Sequence, residues 1–156
     1  MMADALSRDE VMTVFRVHLG DMIDSFDVPP PSFQSMQGAF LEIDVQKGRI
    51  RTRFPILPEQ LNPYGAMQGG MIAAAIDNTI GPLSMLYDPP NVTRRMELKY
   101  SHPVTPAMTF ILVDATFQER SGSWLKFRAD VRSGEGTLLA RGSSTHWILT
   151  GGGENS

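Results

Sequence analysis

The feature that most constrains this fold is a predicted helix with almost no polar face, in residues 70–86. Its sequence, GMIAAAIDNTIGPLSML, carries apolar side chains on nearly every side, and Asp77 is its one charged residue. Such a helix must be covered by other parts of the protein on most of its sides. The rest of the chain therefore has to supply a surface that wraps around it.

The segments on both sides of this helix have the alternating pattern of half-buried strands. Residues 41–45 and 50–54 alternate apolar and polar side chains around a turn at Lys47-Gly48. This pattern predicts a β-hairpin with one solvent-exposed face. Four further strand-like runs follow the helix, at residues 96–101, 108–118, 125–132 and 137–149. The turns ERSGSW and SGEG favour an antiparallel meander of these four runs, with the more apolar second run in a central place. We therefore predict an α+β fold, a curved antiparallel β-sheet wrapped around the central apolar helix.

A second helix is predicted ahead of the sheet, as an N-terminal helical extension. Residues 8–26 have helical periodicity, and Ser7 with Glu10 can form a capping box at its start. The predicted apolar face of this helix consists of Val11, Val14, Phe15, Met22, Ile23 and Phe26. The prolines of VPPPS end the helix. The predicted organisation is an N-terminal helix and Pro-rich connector in residues 1–35, a single domain in residues 36–150, and a disordered tail in residues 151–156.

The composition and the missing motifs argue against several classes of function. A net charge of −3 gives no overall attraction to nucleic acid or to an anionic membrane. The absence of cysteine excludes thiolate metal sites and cysteine nucleophiles, and it fits a cytoplasmic location. The histidines, His18, His102 and His146, have no metal-binding spacing, so each is expected to be structural or exposed. No GxSxG elbow and no membrane-length apolar run occur, and we expect no metal and no cofactor.

Gly69 and Gly70 stand where the apolar helix is expected to begin. The first N–H groups of a helix have no partner within it, and the helix dipole adds partial positive charge there. Because glycine allows a ligand to approach the backbone closely, this place can hold a developing oxyanion. The alternative is that the two glycines serve a tight turn and the close packing of a strand.

Asp77 follows Gly70 by seven residues, about two helical turns, so both residues lie on one face of the helix. No Lys, Arg or His stands three or four positions away to pair with this carboxylate. A buried, unpaired carboxylate is costly. We expect the cost to be offset by hydrogen bonds from Asn78, Thr79 or a distant strand, or by a functional need.

The spacing of these two residues has a consequence for assembly. At 1.5 Å per residue they are about 10 Å apart along the helix axis, so one reacting carbonyl cannot touch both within one subunit. Two such helices running antiparallel would place the glycines of one copy beside the aspartate of the other. The segment therefore predicts a symmetric homodimer with two composite sites, and a dimer of such dimers is the alternative assembly.

The segment LNPYGAMQGGMIAAAIDNTIG resembles the hotdog-fold acyl-CoA thioesterases of the phenylacetate-degradation and 4-hydroxybenzoyl-CoA type. Their pattern is an Asn, a Gly, a His-Gly-Gly and then a helical Asp or Glu nine residues after the His. Residues at the matching places are Asn62, Gly65, Gly69, Gly70 and Asp77. The resemblance covers residues 36–149. It implies a hotdog fold and the hydrolysis of an acyl-CoA thioester to a free acid and CoA.

The resemblance also implies roles for particular residues. Asp77 would be the nucleophile or the general base, the N–H of Gly70 and of Gly69 would hold the thioester oxygen, and Asn62 would position the thioester or the water. Thr93 stands where many relatives have a Ser or Thr that orients water from the facing subunit. Residues that could contact the substrate are Arg94 and Arg95, toward the CoA phosphates, and Met71, toward the acyl group. The arginines could equally be solvated charges at the rim, and the methionines core filler.

One residue departs from the family pattern, because Gln68 stands where these thioesterases have His. Glutamine donates and accepts hydrogen bonds but does not titrate. If that His mainly supports the loop, Gln68 serves the same purpose and the protein is an acyl-CoA thioesterase. If it contributes to catalysis, the alternative is a non-catalytic hotdog protein that binds or senses acyl-CoA.

Overall fold

The structure is a computed structural model that describes residues 4–149, and it has three α-helices and six strands in this part of the chain. The helices are α1 (Arg8–Leu19), α2 (Pro31–Ser35) and α3 (Gly69–Ser84). The strands are β1 (Ala39–Asp44), β2 (Arg49–Pro55), β3 (Asn91–Tyr100), β4 (Phe110–Ser121), β5 (Trp124–Ser133) and β6 (Leu138–Ile148). None of the helices in residues 4–149 is long and apolar enough to cross a membrane.

Helix α3 is the apolar helix that the sequence predicts, and one face of the sheet covers it. It packs against strands β2, β3, β4, β5 and β6. The helix buries Ile72, Ala75, Ile76, Ile80 and Leu83 in the core. The approach to β6 is close, because a Cβ on Gly142 would lie 3.1 Å from Ile76 Cδ1. The predicted α+β fold, a curved antiparallel sheet around a central helix, is confirmed.

The order of the strands corrects one part of the prediction. The sheet runs β1-β2-β4-β5-β6-β3, with every neighbouring pair antiparallel. Strands β4, β5 and β6 form the predicted meander, but β3 pairs with β6 at the edge rather than with β4. The physical reason lies in residues 101–109, which contain Pro103 and Pro106 and are too long for a hairpin turn. They carry the chain from the edge strand β3 to the start of β4, which lies between β2 and β5.

The outer face of the sheet is polar, as the alternation in β2 predicts. Ile50, Thr52 and Phe54 are buried against the helix side. From the other face of β2, Arg49 and Arg51 both donate to Asp114 on β4, at 2.7 and 3.0 Å. The charges of Arg49 and Arg51 are therefore paired across strands.

The N-terminal segment is only partly as predicted. The capping box of Ser7 and Glu10 is present, and Val11 and Phe15 of α1 are buried. The helix ends at Leu19, before a 3₁₀ turn in residues 20–25, and Met22 is 45% exposed rather than part of the apolar face. Part of the proline-rich connector forms α2, although its prolines predict only the end of a helix. The predicted disordered tail, residues 151–156, lies outside the described residues.

Candidate active site

Asp77 is exposed in the subunit, so the expectation of a buried carboxylate is wrong. Its helical neighbours Ile76 and Asn78 are buried, which places Asp77 on the side of α3 that the sheet leaves uncovered. Gly70, two turns earlier, is exposed on the same helix. A sheet that wraps most of a helix still leaves one side open, and the acid lies there. The partner of Asp77 comes from a distant strand, one of the predicted possibilities, because Thr93 Oγ1 on β3 lies 3.1 Å from Asp77 Oδ1.

His146, which was not among the predicted site residues, extends this contact into the core. Its Nε2 lies 3.3 Å from Thr93 Oγ1, and its Nδ1 lies 2.8 Å from Asn91 Oδ1. The side chain is 2% exposed, and this burial lowers the pKa of His146, while the charge of Asp77 partly opposes the shift. The alternation of β6 was the available signal, because it places His146 on the same inner face as buried Ser144.

A cavity of about 360 Å³ opens beside Asp77. One wall comes from the polar group of Asp77, Thr93, Asn91 and His146. The rest of the lining is mostly apolar and comes from the N-terminal connector, the end of α3, the segment before β3 and the start of β3. Its apolar members are Phe26, Val28, Pro30, Pro82, Met85, Pro89, Pro90 and Val92. The cavity can therefore hold the small apolar part of a ligand whose polar end contacts Asp77.

Asn62 organises the loop that precedes α3. Its Oδ1 accepts hydrogen bonds from the N–H of Tyr64 at 2.9 Å and of Ala66 at 3.1 Å. Gly65 completes the turn at φ 80°, a left-handed conformation that glycine adopts without a steric penalty. This bonding uses the carbonyl oxygen of Asn62 and leaves its amide donor available. Asn62 thus shapes the loop in the subunit.

Gly69 and Gly70 form the first turn of α3, as predicted, with Gln68 as the N-cap residue. Neither glycine N–H donates to an acceptor within residues 4–149. A Cβ on Gly69 would lie 3.2 Å from the Tyr100 ring, and Tyr100 Oη donates to Gly69 O at 2.7 Å, so close packing explains this glycine. A Cβ on Gly70 would meet nothing within 4 Å. Packing inside the subunit therefore does not account for Gly70, whose backbone faces open space.

The two halves of the predicted site are separate within one subunit. A second cavity of about 320 Å³ is lined by Asn62, Gly69, Tyr100 and neighbouring residues, and it shares no lining residue with the cavity beside Asp77. Both halves lie on α3, about 10 Å apart along its axis. One subunit thus carries a donor half and a carboxylate half that face different volumes.

The other candidate residues line neither of these two cavities. The Arg94 guanidinium lies over the rings of Trp124 and Trp147, at 5.9 and 5.8 Å from their centroids. Arg95 forms an exposed ion pair with Glu97. Met71 packs, half-buried, against the core. The Gln68 side chain is exposed and makes no capping hydrogen bond.

No group of three or more acidic or histidine side chains in residues 4–149 is arranged to hold a metal ion. The chemistry that these residues can perform by themselves is that of a carboxylate with a hydroxyl partner and of free backbone donors.

Comparisons with solved structures identify the fold of this chain. No family model matches the chain, and no curated protein matches its sequence. Among solved structures, a putative thioesterase from Ralstonia eutropha JMP134, described as related to phenylacetic acid degradation, superposes with a TM-score of 0.70 at 20% identity, covering 85% of this chain and 97% of that one. The chain has the hotdog fold.

Two further hotdog structures agree with this assignment. A point mutant of the phenylacetic acid degradation protein PaaI from Thermus thermophilus has a TM-score of 0.69 and 20% identity, covering 77% of this chain and all of that one. The protein smu.793 from Streptococcus mutans UA159, bound to acetyl CoA, has a TM-score of 0.65 and 18% identity, covering 70% of this chain and 86% of that one. At these identities the likeness is one of fold.

Proposed function

We propose that this protein is a thioester hydrolase that cleaves an acyl-CoA to a free acid and CoA. One observation carries the proposal: helix α3 carries an exposed carboxylate, Asp77, whose Oδ1 lies 3.1 Å from Thr93 Oγ1 on β3, and the same helix begins with Gly69 and Gly70, whose N–H groups have no acceptor within residues 4–149. A carboxylate and preorganised N–H donors are the two parts that thioester hydrolysis requires. The fold shared with a putative thioesterase and with a protein bound to acetyl CoA supports the same class of substrate.

A second copy of the chain completes the site in this proposal. Strand β3 is at an edge of the sheet, and it carries Thr93, which contacts Asp77, and Tyr100, which contacts Gly69. If β3 pairs antiparallel with β3 of a second copy about an axis near Met96 and Glu97, Thr93 of each copy lies opposite Tyr100 of the other. Such a homodimer joins each carboxylate half to a donor half of the other subunit.

The composite site then performs hydrolysis without a metal. Asp77 accepts a proton from water, the water oxygen attacks the thioester carbon, and the carbonyl oxygen takes up negative charge beside the N–H of Gly70. Collapse of this intermediate breaks the carbon–sulfur bond, and the departing CoA thiolate takes up a proton. In the alternative mechanism Asp77 itself attacks, and water then hydrolyses the acyl-aspartate.

The cavity beside Asp77 is proposed to hold the acyl group. Its volume of about 360 Å³ is near the lower end of ordinary ligand pockets, about 300–1,000 Å³, so short or single-ring acyl groups are the expected substrates. Arg94 and Arg95 remain the proposed contacts for CoA phosphates. The ion pair of Arg95 with Glu97 is exposed and can exchange for a phosphate at little cost.

The test is thiol release from short, medium, long and aromatic acyl-CoAs by the wild type and by Asp77→Asn, which keeps the shape of the side chain. We expect kcat to fall about 10²–10⁴-fold in this variant. Asp21→Asn is the matched control, since Asp21 is an exposed acid that lines neither cavity. Equal turnover in the wild type and Asp77→Asn would refute the role of the carboxylate.

A single turnover in ¹⁸O-labelled water separates the two mechanisms, because only acyl-aspartate hydrolysis can place label in Asp77.

Gln68 favours a second candidate, a hotdog protein that binds acyl-CoA without hydrolysing it. The exposed amide of Gln68 stands where the resembling thioesterases have His. Measurable binding of acyl-CoA with no turnover on the whole panel would favour this binding or sensing role. A gain of turnover in Gln68→His would then show which residue was limiting.

A further inference from the structure

The orientation of the Asn91 side chain determines where a proton sits on His146. Asn91 Nδ2 lies 2.9 Å from Ser84 O and 3.1 Å from Tyr87 O, and both of these carbonyls can only accept hydrogen bonds. The amide nitrogen must therefore face them, and Oδ1 is the atom that lies 2.8 Å from His146 Nδ1. Because Oδ1 also only accepts, His146 carries a hydrogen on Nδ1.

This hydrogen leaves His146 Nε2 as an acceptor in the neutral ring. Burial lowers the pKa of His146, which favours the neutral form at neutral pH. A neutral imidazole has one N–H, so a ring protonated on Nδ1 presents a lone pair at Nε2. The group within reach of that lone pair is the Thr93 hydroxyl, at 3.3 Å.

Thr93 then has one hydroxyl proton and two possible acceptors, Asp77 Oδ1 and His146 Nε2. Burial decides between them. His146 is 2% exposed, so its Nε2 loses its hydrogen bond to solvent and depends on Thr93, whereas the exposed Asp77 is open to water. An unpaired buried acceptor is penalised and an exposed carboxylate is not, so the proton goes to His146.

We propose that Asn91 and His146 are positioning residues that act through Thr93, by holding its hydroxyl proton on His146 so that Thr93 and Asp77 both accept hydrogen bonds from the attacking water. With both of its hydrogens held, the water directs a lone pair outward, toward the thioester carbon. The proton that Asp77 removes is one of the two held hydrogens. This inference rests on the proposed function, but the protonation of His146 can be measured without any turnover.

The first test is the tautomer of His146, by ¹⁵N NMR of the protein labelled on histidine. The resonance is assigned by its loss in His146→Gln, since only His18 and His102 then remain. We expect a protonated Nδ1 and an unprotonated Nε2 in the wild type, and a shift of the Nε2 resonance in Thr93→Val. A hydrogen on Nε2, or no response to Thr93→Val, would overturn the inference whether or not the protein is an enzyme.

The second test is a double-mutant cycle on turnover. His146→Phe keeps a ring in contact with Phe127, whose centroid is 5.1 Å away, but removes the acceptor. We expect it to lower kcat about tenfold with little change in KM, because a group that orients only the water affects the reaction more than substrate binding. In a Thr93→Val background the same substitution should change kcat less than twofold.

The controls distinguish positioning from a structural role. His146→Gln places an amide oxygen near the site of Nε2 and should keep at least a third of the wild-type kcat, whereas His146→Phe should not. Circular dichroism and size-exclusion chromatography check that each variant keeps its fold and assembly. Equal losses in the two variants, or equal losses with and without the Thr93 hydroxyl, would overturn the inference. Failure of the wild type to turn over any acyl-CoA would refute the proposed function alone, and NMR then decides the inference.

Discussion

Gly70→Ala is expected to make the protein more stable and less active. A Cβ at this position meets nothing within 4 Å, and the residue lies in the first turn of α3, where alanine adopts the same backbone conformation. Replacing glycine by alanine at such a site stabilises a protein by about 0.4–1 kcal/mol, mainly by restricting the unfolded chain. For a chain of this length, that corresponds to an increase in Tm of about 1–4 °C.

The expected loss of activity has a separate cause. In the proposed site the thioester oxygen approaches the N–H of Gly70, and the added methyl group occupies part of that space. Because a misplacement of about 1 Å can reduce turnover about 10²-fold, we expect kcat/KM to fall about tenfold to a hundredfold. The N–H itself is retained, so the effect comes from the distance between donor and substrate.

The assay measures Tm and thiol release on the same preparation, which excludes misfolding as the cause of a lower rate. Gly69→Ala is the matched comparison, since its Cβ would lie 3.2 Å from Tyr100, so we expect it to lack the gain in stability. A value of kcat/KM in Gly70→Ala within twofold of the wild type would contradict the proposed oxyanion site, because substrate would then not approach this backbone. A fall in Tm would show that the space beside Gly70 is filled in the assembled protein.

Three further predictions concern stability. The Thr79 hydroxyl donates to Ala75 O, so the buried Thr52 hydroxyl, 2.7 Å from it, must donate to Thr79. Thr79→Val removes this acceptor and should lower the free energy of unfolding by about 1–3 kcal/mol, measured by chemical denaturation. A second substitution, Thr52→Val, should recover most of this loss, and a larger loss in the double variant would contradict the assignment. Burial lowers the pKa of His146, so as pH falls the imidazole takes up a proton in the unfolded chain before it does so in the folded one. The free energy of unfolding should therefore decrease as pH drops below about 6.5, and this pH dependence should be weaker in His146→Phe. Ser7→Ala should cost about 0.5–2 kcal/mol in thermal unfolding through loss of the capping box, and an unchanged Tm would contradict this.

The sequence was sufficient wherever the structure depends on neighbours within a few residues. Local periodicity and local hydrogen bonds determine four of the features described above. These are the apolar character of α3, the start of that helix at Gly69, the capping box at Ser7 and the alternation of β2. The same patterns determined that a curved sheet has to cover a central helix. The spacing of Gly70 and Asp77 also followed directly, because helical rise is constant.

The surroundings of those residues depend on long-range packing. The place of β3 beside β6 depends on where a proline-containing loop returns the chain, and no local pattern encodes that choice. Asp77 is exposed rather than buried because the sheet stops short of one side of α3. His146 meets Thr93 across 53 residues of sequence, so alternation could show that it points inward but not which side chain it reaches. Periodicity specifies the face on which a side chain lies, whereas its partners depend on how distant segments pack.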